Sequence, residues 1–364
     1  MKNKTLAWDD QKPCKGIKVL DLSGILAGPL TASFFAELGA EVVKIENKLT
    51  GGDATRQWKL PSEKHDSSFS AYYHSANFGK KIVLKDLTIQ TERNELEKMI
   101  ADSDIIVSNF QKKTAEKLGL LPSEIVKKYP SIIFAQLSAY NFEDPRPGYD
   151  LVMQGETGWI SMTGTDADHL AKLPVAIVDI VAAHQLKEGI LLALWKKEKT
   201  GIGSLVHVSL YKSSISALVN QASNYLNAMH IPTPLGTLHP NIAPYGDIFL
   251  SEDNMKFILA VGSDAQFKKL WFTLISAVED YSTFEFNSER VNHRKALTVK
   301  LQHRFSNLPF EKIKNLLQSI NVPFCLIMNM KDVFTNELAK EMVLPMQTDI
   351  DTVYSVSNIA FDIS

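Results

Sequence analysis

Residues 16–46, GIKVLDLSGILAGPLTASFFAELGAEVVKIE, constrain the fold more than any other stretch. IKVLDLS is an apolar, β-rich run. A segment opened by Gly28-Pro29 follows, with Leu30, Phe34, Phe35 and Leu38 at helical spacing. Pro29 suits a first helical position and Gly39 suits a helix end. EVVKIE then reads as a second strand. Strand, helix and strand within about 30 residues form a βαβ unit, and two strands so joined lie parallel. The alternation continues: ELEKMIADSD reads as helix, IIVSNF as strand, TAEKLGL as a short helix and SIIFAQLSAY as strand. The pattern predicts an α/β fold with a Rossmann-like, doubly wound parallel sheet.

Downstream, IVAAHQLKEGILLALWKKEKTG is the longest helical candidate, beginning at Ile180 with Ala183, Leu186, Ile190 and Leu194 on one face. Lysines 196, 197 and 199 fill its last turn and Gly201 stops it. The strand SLVHVSL and the helix KSSISALVNQASNYLNAM come next, then a proline-rich loop, 230–247, suited to a domain border. FILAVGSDAQFKKLWFTLI reads as strand then helix, and 280–340 as mostly helical. A chain of 364 residues exceeds one ordinary core. The expected division is a large Rossmann-like domain over 1–215 completed by a tail at 335–364, a linker over 216–230, and a small α/β domain over 231–334.

Several functions are disfavoured by composition. A net charge of −2 lacks the basic excess of a nucleic-acid binder. The N-terminal MKNKTLAWDDQKPCKG has no apolar run of signal-peptide length, and no later stretch reaches 18 uncharged apolar residues, so a cytoplasmic protein without membrane attachment is expected. Cys14 and Cys325 lack CxxC spacing and read as inert thiols. The nine histidines form no HxxxH or HExxH pair, so no metal is expected. A GxSxG elbow is absent. Glu46 ends the second strand where an acid grips a nicotinamide ribose, but SGILAGP is not GxGxxG, so a dinucleotide site is a minor reading.

Asp179 stands alone in PVAIVDIVAAHQ (174–185), a carboxylate among valine, isoleucine and alanine. Aspartate is a favoured helix N-cap, and a helix from Ile180 would place it there. A carboxylate at a helix N-terminus stays ionised through the local amides and dipole. Held in apolar surroundings it is also a competent nucleophile toward an activated acyl group. Residue types alone leave both roles open.

The ordered motifs resemble the class III CoA-transferases, the CaiB/BaiF family that includes the α-methylacyl-CoA racemases. The opening is similar to the family's V-L-D-x-S/T, A-G-P and L-G-A-E/D-V run. GGDATR (51–56), NFGKKIVLKDL (77–87), VSNFQKKTAEKLGL (107–120), PGYDLVMQGETGWISMTG (147–164), PVAIVDIVAAHQLKEGILLALWKKEKTGIGSLVHVSL (174–210), HPNIAPYGDIF (239–249) and INVPFCLIMNMKDVF (320–334) follow in order. The resemblance implies that Asp179 is the nucleophile of a CoA transfer from an acyl-CoA to a carboxylic acid through anhydride and aspartyl-CoA intermediates. No metal or redox cofactor is implied, since coenzyme A serves as substrate and carrier.

Racemases of the family read G-H-D where this chain has Gly148-Tyr149-Asp150, and a phenol titrating near pH 10 is a poor proton shuttle at neutrality. Transfer is therefore favoured over a racemase or epimerase, or a degenerate CoA-binding relative. The resemblance places Leu26, Ala27, Asn47, Asn109, Phe110, Gln111, Lys117 and Gly148 along coenzyme A. Asp150, Gln154, Tyr149 and His239 are possible accessory residues. Leu26 replaces the glutamine of the oxalate-type transferases, and Ala183 a frequent glycine. Family members form interlocked dimers, so a homodimer is implied.

Overall fold

The computed structural model describes residues 12–275, 279–348 and 352–362. The reading of the N-terminal segment falls partly on residues 1–11, outside the described residues. Two compact units emerge: Met1–Trp159, Leu173–His230 and Glu341–Ser364 form the first, and Ile160–Lys172 with Ile231–Lys340 the second.

The first unit opens with β1 (Lys18–Asp21), α1 (Ala27–Glu37), β2 (Glu41–Asn47), α2 (Ala71–His74) and β3 (Lys81–Lys85). Next come α3 (Gln90–Ala101), β4 (Ile105–Ser108), α4 (Lys112–Leu118), α5 (Pro122–Lys128), β5 (Ile133–Ser138) and α6 (Asp150–Glu156). It continues through α7 (Ile177–Thr200), β6 (Ser204–Ser209), α8 (Leu210–Ser216) and α9 (Val219–Ala228). Strands β1–β6 form one sheet in the order β3-β2-β1-β4-β5-β6, every neighbouring pair parallel. This is the doubly wound order, which reverses between β1 and β4 and opens a crevice at their carboxyl ends.

Successive strand residues face opposite layers. Val19, Ile105, Val107, Ile133 and Ala135 pack with α1 and α7, while Leu20, Ile106 and Phe134 pack with Leu96 and Ile100 of α3 and Ile125 of α5. Ala183, Leu186 and Ile190 are fully buried, so the face read from the sequence is the one that enters the core. Gly201, left-handed at φ 70°, ends α7.

The second unit holds β7 (Tyr245–Leu250), β8 (Lys256–Ala260), α10 (Asp264–Leu274), α11 (Asn287–Asn292), α12 (Arg294–Phe305), α13 (Phe310–Ser319), β9 (Phe324–Leu326), α14 (Met330–Val333) and α15 (Glu337–Glu341). Its antiparallel β7-β8-β9 sheet covers a core centred on Phe257, Phe267, Trp271 and Phe305. Strands β10 (Val343–Gln347) and β11 (Thr352–Val356) pair as a hairpin, after which Ser357 and Asn358 bond to Glu37 of α1. Among the described residues no helix is long and apolar enough to cross a membrane.

Three local expectations need correction. The helix α1 starts at Ala27, so Pro29 is its third residue, still within the turn whose N–H groups have no intrahelical acceptor. The single helix expected over 212–229 is broken into α8 and α9, with Val219 left-handed at φ 40°. There the Ser216 hydroxyl bonds the Ser213 carbonyl, the local competition that serine offers a helix. The helix α7 begins at Ile177, three residues before the expected start.

A chain of buried charges ties the strand ends together. Asp21 and Lys80, both fully buried, pair at 2.9 Å, and Lys44 pairs with Asp53 at 2.7 Å. The Asn77 amide oxygen accepts from both ammonium groups at 3.1 Å. Burial pulls the Lys80 ammonium down to about 8 despite the attraction of Asp21. Removing one partner of such a pair strands the other charge. Asp21→Asn is expected to destabilise the protein by about 3–5 kcal/mol, read as a lowered urea midpoint with the slope retained.

Candidate active site

Two cavities open at the carboxyl ends of the parallel strands. The smaller, about 230 Å³, is lined by the turn after β1 (Gly24 to Ala27), by Asn109, Phe110 and Gln111 after β4, by Leu137 to Ala139 at the end of β5, by the loop to Tyr149, and by Asp179. The larger, about 860 Å³, lies over the ends of β2, β3 and β4 and shares Gly24, Ile25, Asn109 and Phe110 with the first.

Asp179 is the third residue of α7 and nine-tenths buried, and among the described residues no hydrogen-bond donor reaches its carboxylate. It is not the cap. That role falls to Asp150, the first residue of α6, whose Oδ1 accepts the Val178 N–H at 2.7 Å. Gln154, one turn along α6, donates to Asp150 Oδ2 at 2.6 Å and accepts from the Leu173 N–H at 2.9 Å. Burial, followed by the repulsion of Asp150, pushes the Asp179 carboxyl up to about 7. The expectation that a helix start keeps Asp179 fully ionised is therefore corrected. Desolvation and a second carboxylate outweigh the helix dipole, and the unpaired oxygens are left basic and reactive.

The turn facing Asp179 is held from two sides. Asn109 donates from Nδ2 to the Gly24 carbonyl at 2.9 Å and accepts the Gly24 N–H at 3.1 Å, so its amide is engaged by backbone. Asp53 accepts the Ile25 N–H at 3.2 Å and holds Ile25, a β-branched residue, at φ 72°. Burial opposes the Asp53 charge, but Lys44 and Thr55 hold its carboxyl below the usual range. Leu26 is the cap position of α1 and offers no side-chain oxygen, so the first turn of α1, beginning at Ala27, presents uncapped amides at the cavity wall. Gly28 must be a glycine, because a Cβ there would lie 2.3 Å from Ser23 Oγ.

The remaining residues singled out from the sequence fall in distinct places. Gln111, Gly148 and Tyr149 line the smaller cavity, and a Cβ on Gly148 would meet Met153 at 2.6 Å. Asn47 and Lys117 line the larger one, with the Asn47 side chain accepting from Leu49 N–H in its own turn. His239 belongs to the second unit, where its Nδ1 accepts from Asn241 and its ring meets Tyr245 edge-on. Glu46 is fully engaged by the Arg56 guanidinium, the Asp53 N–H and the Tyr73 hydroxyl. Buried and already accepting three bonds, Glu46 is poorly disposed to hold a ribose, and the dinucleotide reading loses the one residue that suggested it.

Tyr72 went unnoticed in the sequence. Burial, then the charges of Asp179, Asp150 and Asp53, push its phenol up to about 12, so it stays protonated beside the site. Nothing in the spacing of SAYYHS marks it, because its approach to Asp179 is purely tertiary.

Residues 14–364 match the CoA-transferase family III. The chain belongs to that family. It is 33% identical over 289 residues to the succinate–glutarate CoA-transferase of Agrobacterium fabrum, covering 78% of this chain and 72% of that protein. It is 30% identical over 350 residues to the human succinyl-CoA:glutarate CoA-transferase, covering 95% and 78%. Among solved structures, a CAIB/BAIF family protein from Brucella suis superposes with a TM-score of 0.80 at 31% identity, over 96% of this chain and 92% of that one. This family III chain is thus a CoA-transferase enzyme.

Because kcat/KM reports the free enzyme, it is expected to fall as pH drops through about 7, where Asp179 takes up its proton. Asp150→Asn keeps an oxygen for the Val178 N–H but removes the repelling charge. A pH–rate profile of this variant should show the acidic limb moved to lower pH; an unmoved limb would mean that another group sets it.

Proposed function

We propose that the chain moves coenzyme A between two dicarboxylic acids through covalent intermediates on Asp179. The observation that carries this reading is a nearly buried carboxylate with no hydrogen-bond donor among the described residues, lining a cavity rather than closing a salt bridge. Desolvation raises its basicity and leaves both oxygens free to attack.

In the first step an Asp179 oxygen attacks the donor thioester carbonyl, giving a mixed anhydride and the CoA thiolate. The thiolate attacks the Asp179 carbonyl of that anhydride, releasing the donor acid and leaving an aspartyl-CoA thioester. The acceptor carboxylate displaces the thiolate to form a second anhydride. Attack of the thiolate on the acceptor carbonyl of that anhydride restores Asp179 and yields the new acyl-CoA. Each exchange joins groups of similar energy, so neither ATP nor a metal or redox cofactor is called for. The uncapped first turn of α1 at the cavity wall supplies positive potential near the oxyanions and thiolate.

Dicarboxylates are favoured because the relatives named above act on succinate and glutarate. Arg146 is also the one cation among the residues lining the smaller cavity. It is steadied by Asp144 and by the Tyr140 ring, and its Nη1 takes part in none of the three bonds its guanidinium makes to the Asp144 carboxylate. A remote carboxylate of the acceptor is its natural partner. Leu191, Leu192 and Trp195 of α7 and Val219 and Leu226 of α9 expose large apolar side chains, which supports the homodimer that the family resemblance implies. Free acyl-CoA and acid are water-soluble substrates, which is consistent with the cytoplasmic location proposed for the enzyme.

Mass spectrometry after incubation with succinyl-CoA should find coenzyme A or an acyl group on the Asp179 peptide, and nothing there in Asp179→Ala. Absence of any adduct, with solvent deuterium entering the acyl α-carbon, would replace transfer by racemisation. Arg146→Gln is expected to raise KM for glutarate about tenfold, the worth of one charged hydrogen bond, while leaving a monocarboxylic acceptor unaffected.

A further inference from the structure

The larger cavity contains two cations that no carboxylate neutralises. Of the four basic residues on its walls, Lys44 is paired with Asp53 and Lys85 with Glu95. Arg93 of α3 and Lys117 of α4 have no ion-pair partner among the described residues. Arg93 stands out further. Its Nε is buried and meets no acceptor, and its guanidinium reaches only the Thr88 carbonyl, from Nη2 at a marginal 3.5 Å. Nη1 has no acceptor among the described residues and is not buried, so it is the nitrogen through which an anion in the cavity can be held. Nearby carboxylates are already occupied: Asp86 accepts from the Thr88 hydroxyl, and Glu46 is held by Arg56 and Tyr73.

The surroundings specify what kind of anion fits. Leu49, Leu87, Phe110 and Leu118 give the cavity apolar walls suited to a flat base. Its volume of about 860 Å³ is ample for a nucleotide. Strand order supplies a direction. The Asp179 cavity lies over β4 and β5, the shared wall over β1 and β4, and Arg93 follows β3 at the sheet edge. A coenzyme A with its thioester at Asp179 passes pantetheine and pyrophosphate before its ribose, so the groups reaching β3 are the adenine and the ribose 3′-phosphate, of which only the phosphate is an anion that pairs with a guanidinium.

We propose that Arg93, on the far wall of the cavity that shares its near wall with Asp179, binds the 3′-phosphate of coenzyme A and makes the enzyme select CoA over dephospho-CoA. This rests on the reading of the site as an acyl-CoA site. Lys117 adds a second positive charge in the same cavity. Arg93 presents the fixed fork of donors that a terminal phosphate accepts.

Calorimetric titration with adenosine 3′,5′-bisphosphate and with AMP isolates the 3′-phosphate, the single group by which these probes differ. The wild-type protein should bind the bisphosphate at least about tenfold more tightly. Arg93→Gln should abolish that preference while leaving AMP affinity within about twofold, which also reports an intact fold, and Arg93→Lys should recover part of it. In the transfer assay, Arg93→Gln should raise KM for succinyl-CoA with kcat retained, and leave dephospho-succinyl-CoA unaffected. An equal loss for both probes, no loss for either, or no nucleotide binding by the wild type would each overturn the assignment. Retained 3′-phosphate preference without an Asp179 adduct would instead sink the transfer mechanism and leave the assignment of Arg93 standing.

Discussion

Asp53 and Lys44 meet at 2.7 Å in a place almost without solvent, and the shape of the site depends on that meeting. Lys44 lies on β2, one strand in from the sheet edge, and fixes the carboxylate. The carboxylate in turn holds the amide of Ile25 in a backbone conformation that a branched side chain does not choose unaided. Asn109, arriving from the end of β4, grips the preceding residue by both its backbone groups. The turn between β1 and α1 is therefore stapled to the strands on either side of it. Because that turn walls both cavities, the same staples fix the shape of each.

The fold was legible where local pattern and tertiary outcome coincide. The βαβ opening, the buried face of α7 and the glycine that ends it follow from periodicity and from the conformations open to Gly201. Two elements of the sheet half escaped. Strand β3 lies at the sheet edge, half exposed, so KIVLK carries no buried run to announce it. The helix α5 is a single short amphipathic segment with Pro122 at its start, too brief for a periodic signal.

The site was legible only in outline. A lone aspartate among branched apolar residues is conspicuous in any sequence, and Asp179 drew notice for that reason. Which carboxylate caps α7 and which stays free was not readable, since the capping Asp150 lies 28 residues earlier and arrives by packing of α6 on α7. Asn109 carries a second role that the resemblance does not announce: it lines both cavities, and its amide also holds the Gly24 backbone. Tyr72 and Arg93 owe their surroundings to neighbours distant in sequence, and no spacing rule could have found them.

Asp150 joins two requirements in a single side chain. Its carboxylate seals the start of the longest helix and also, after burial, raises the proton affinity of Asp179. Helix initiation and the basicity of Asp179 are therefore coupled. A substitution at 150 that removes the charge shifts the acid strength of Asp179, and one chosen to tune that strength must still present an acceptor to Val178. For a lineage adapting this scaffold to a more acidic or more alkaline interior, the room for adjustment lies in what surrounds the two carboxylates rather than in the pair itself.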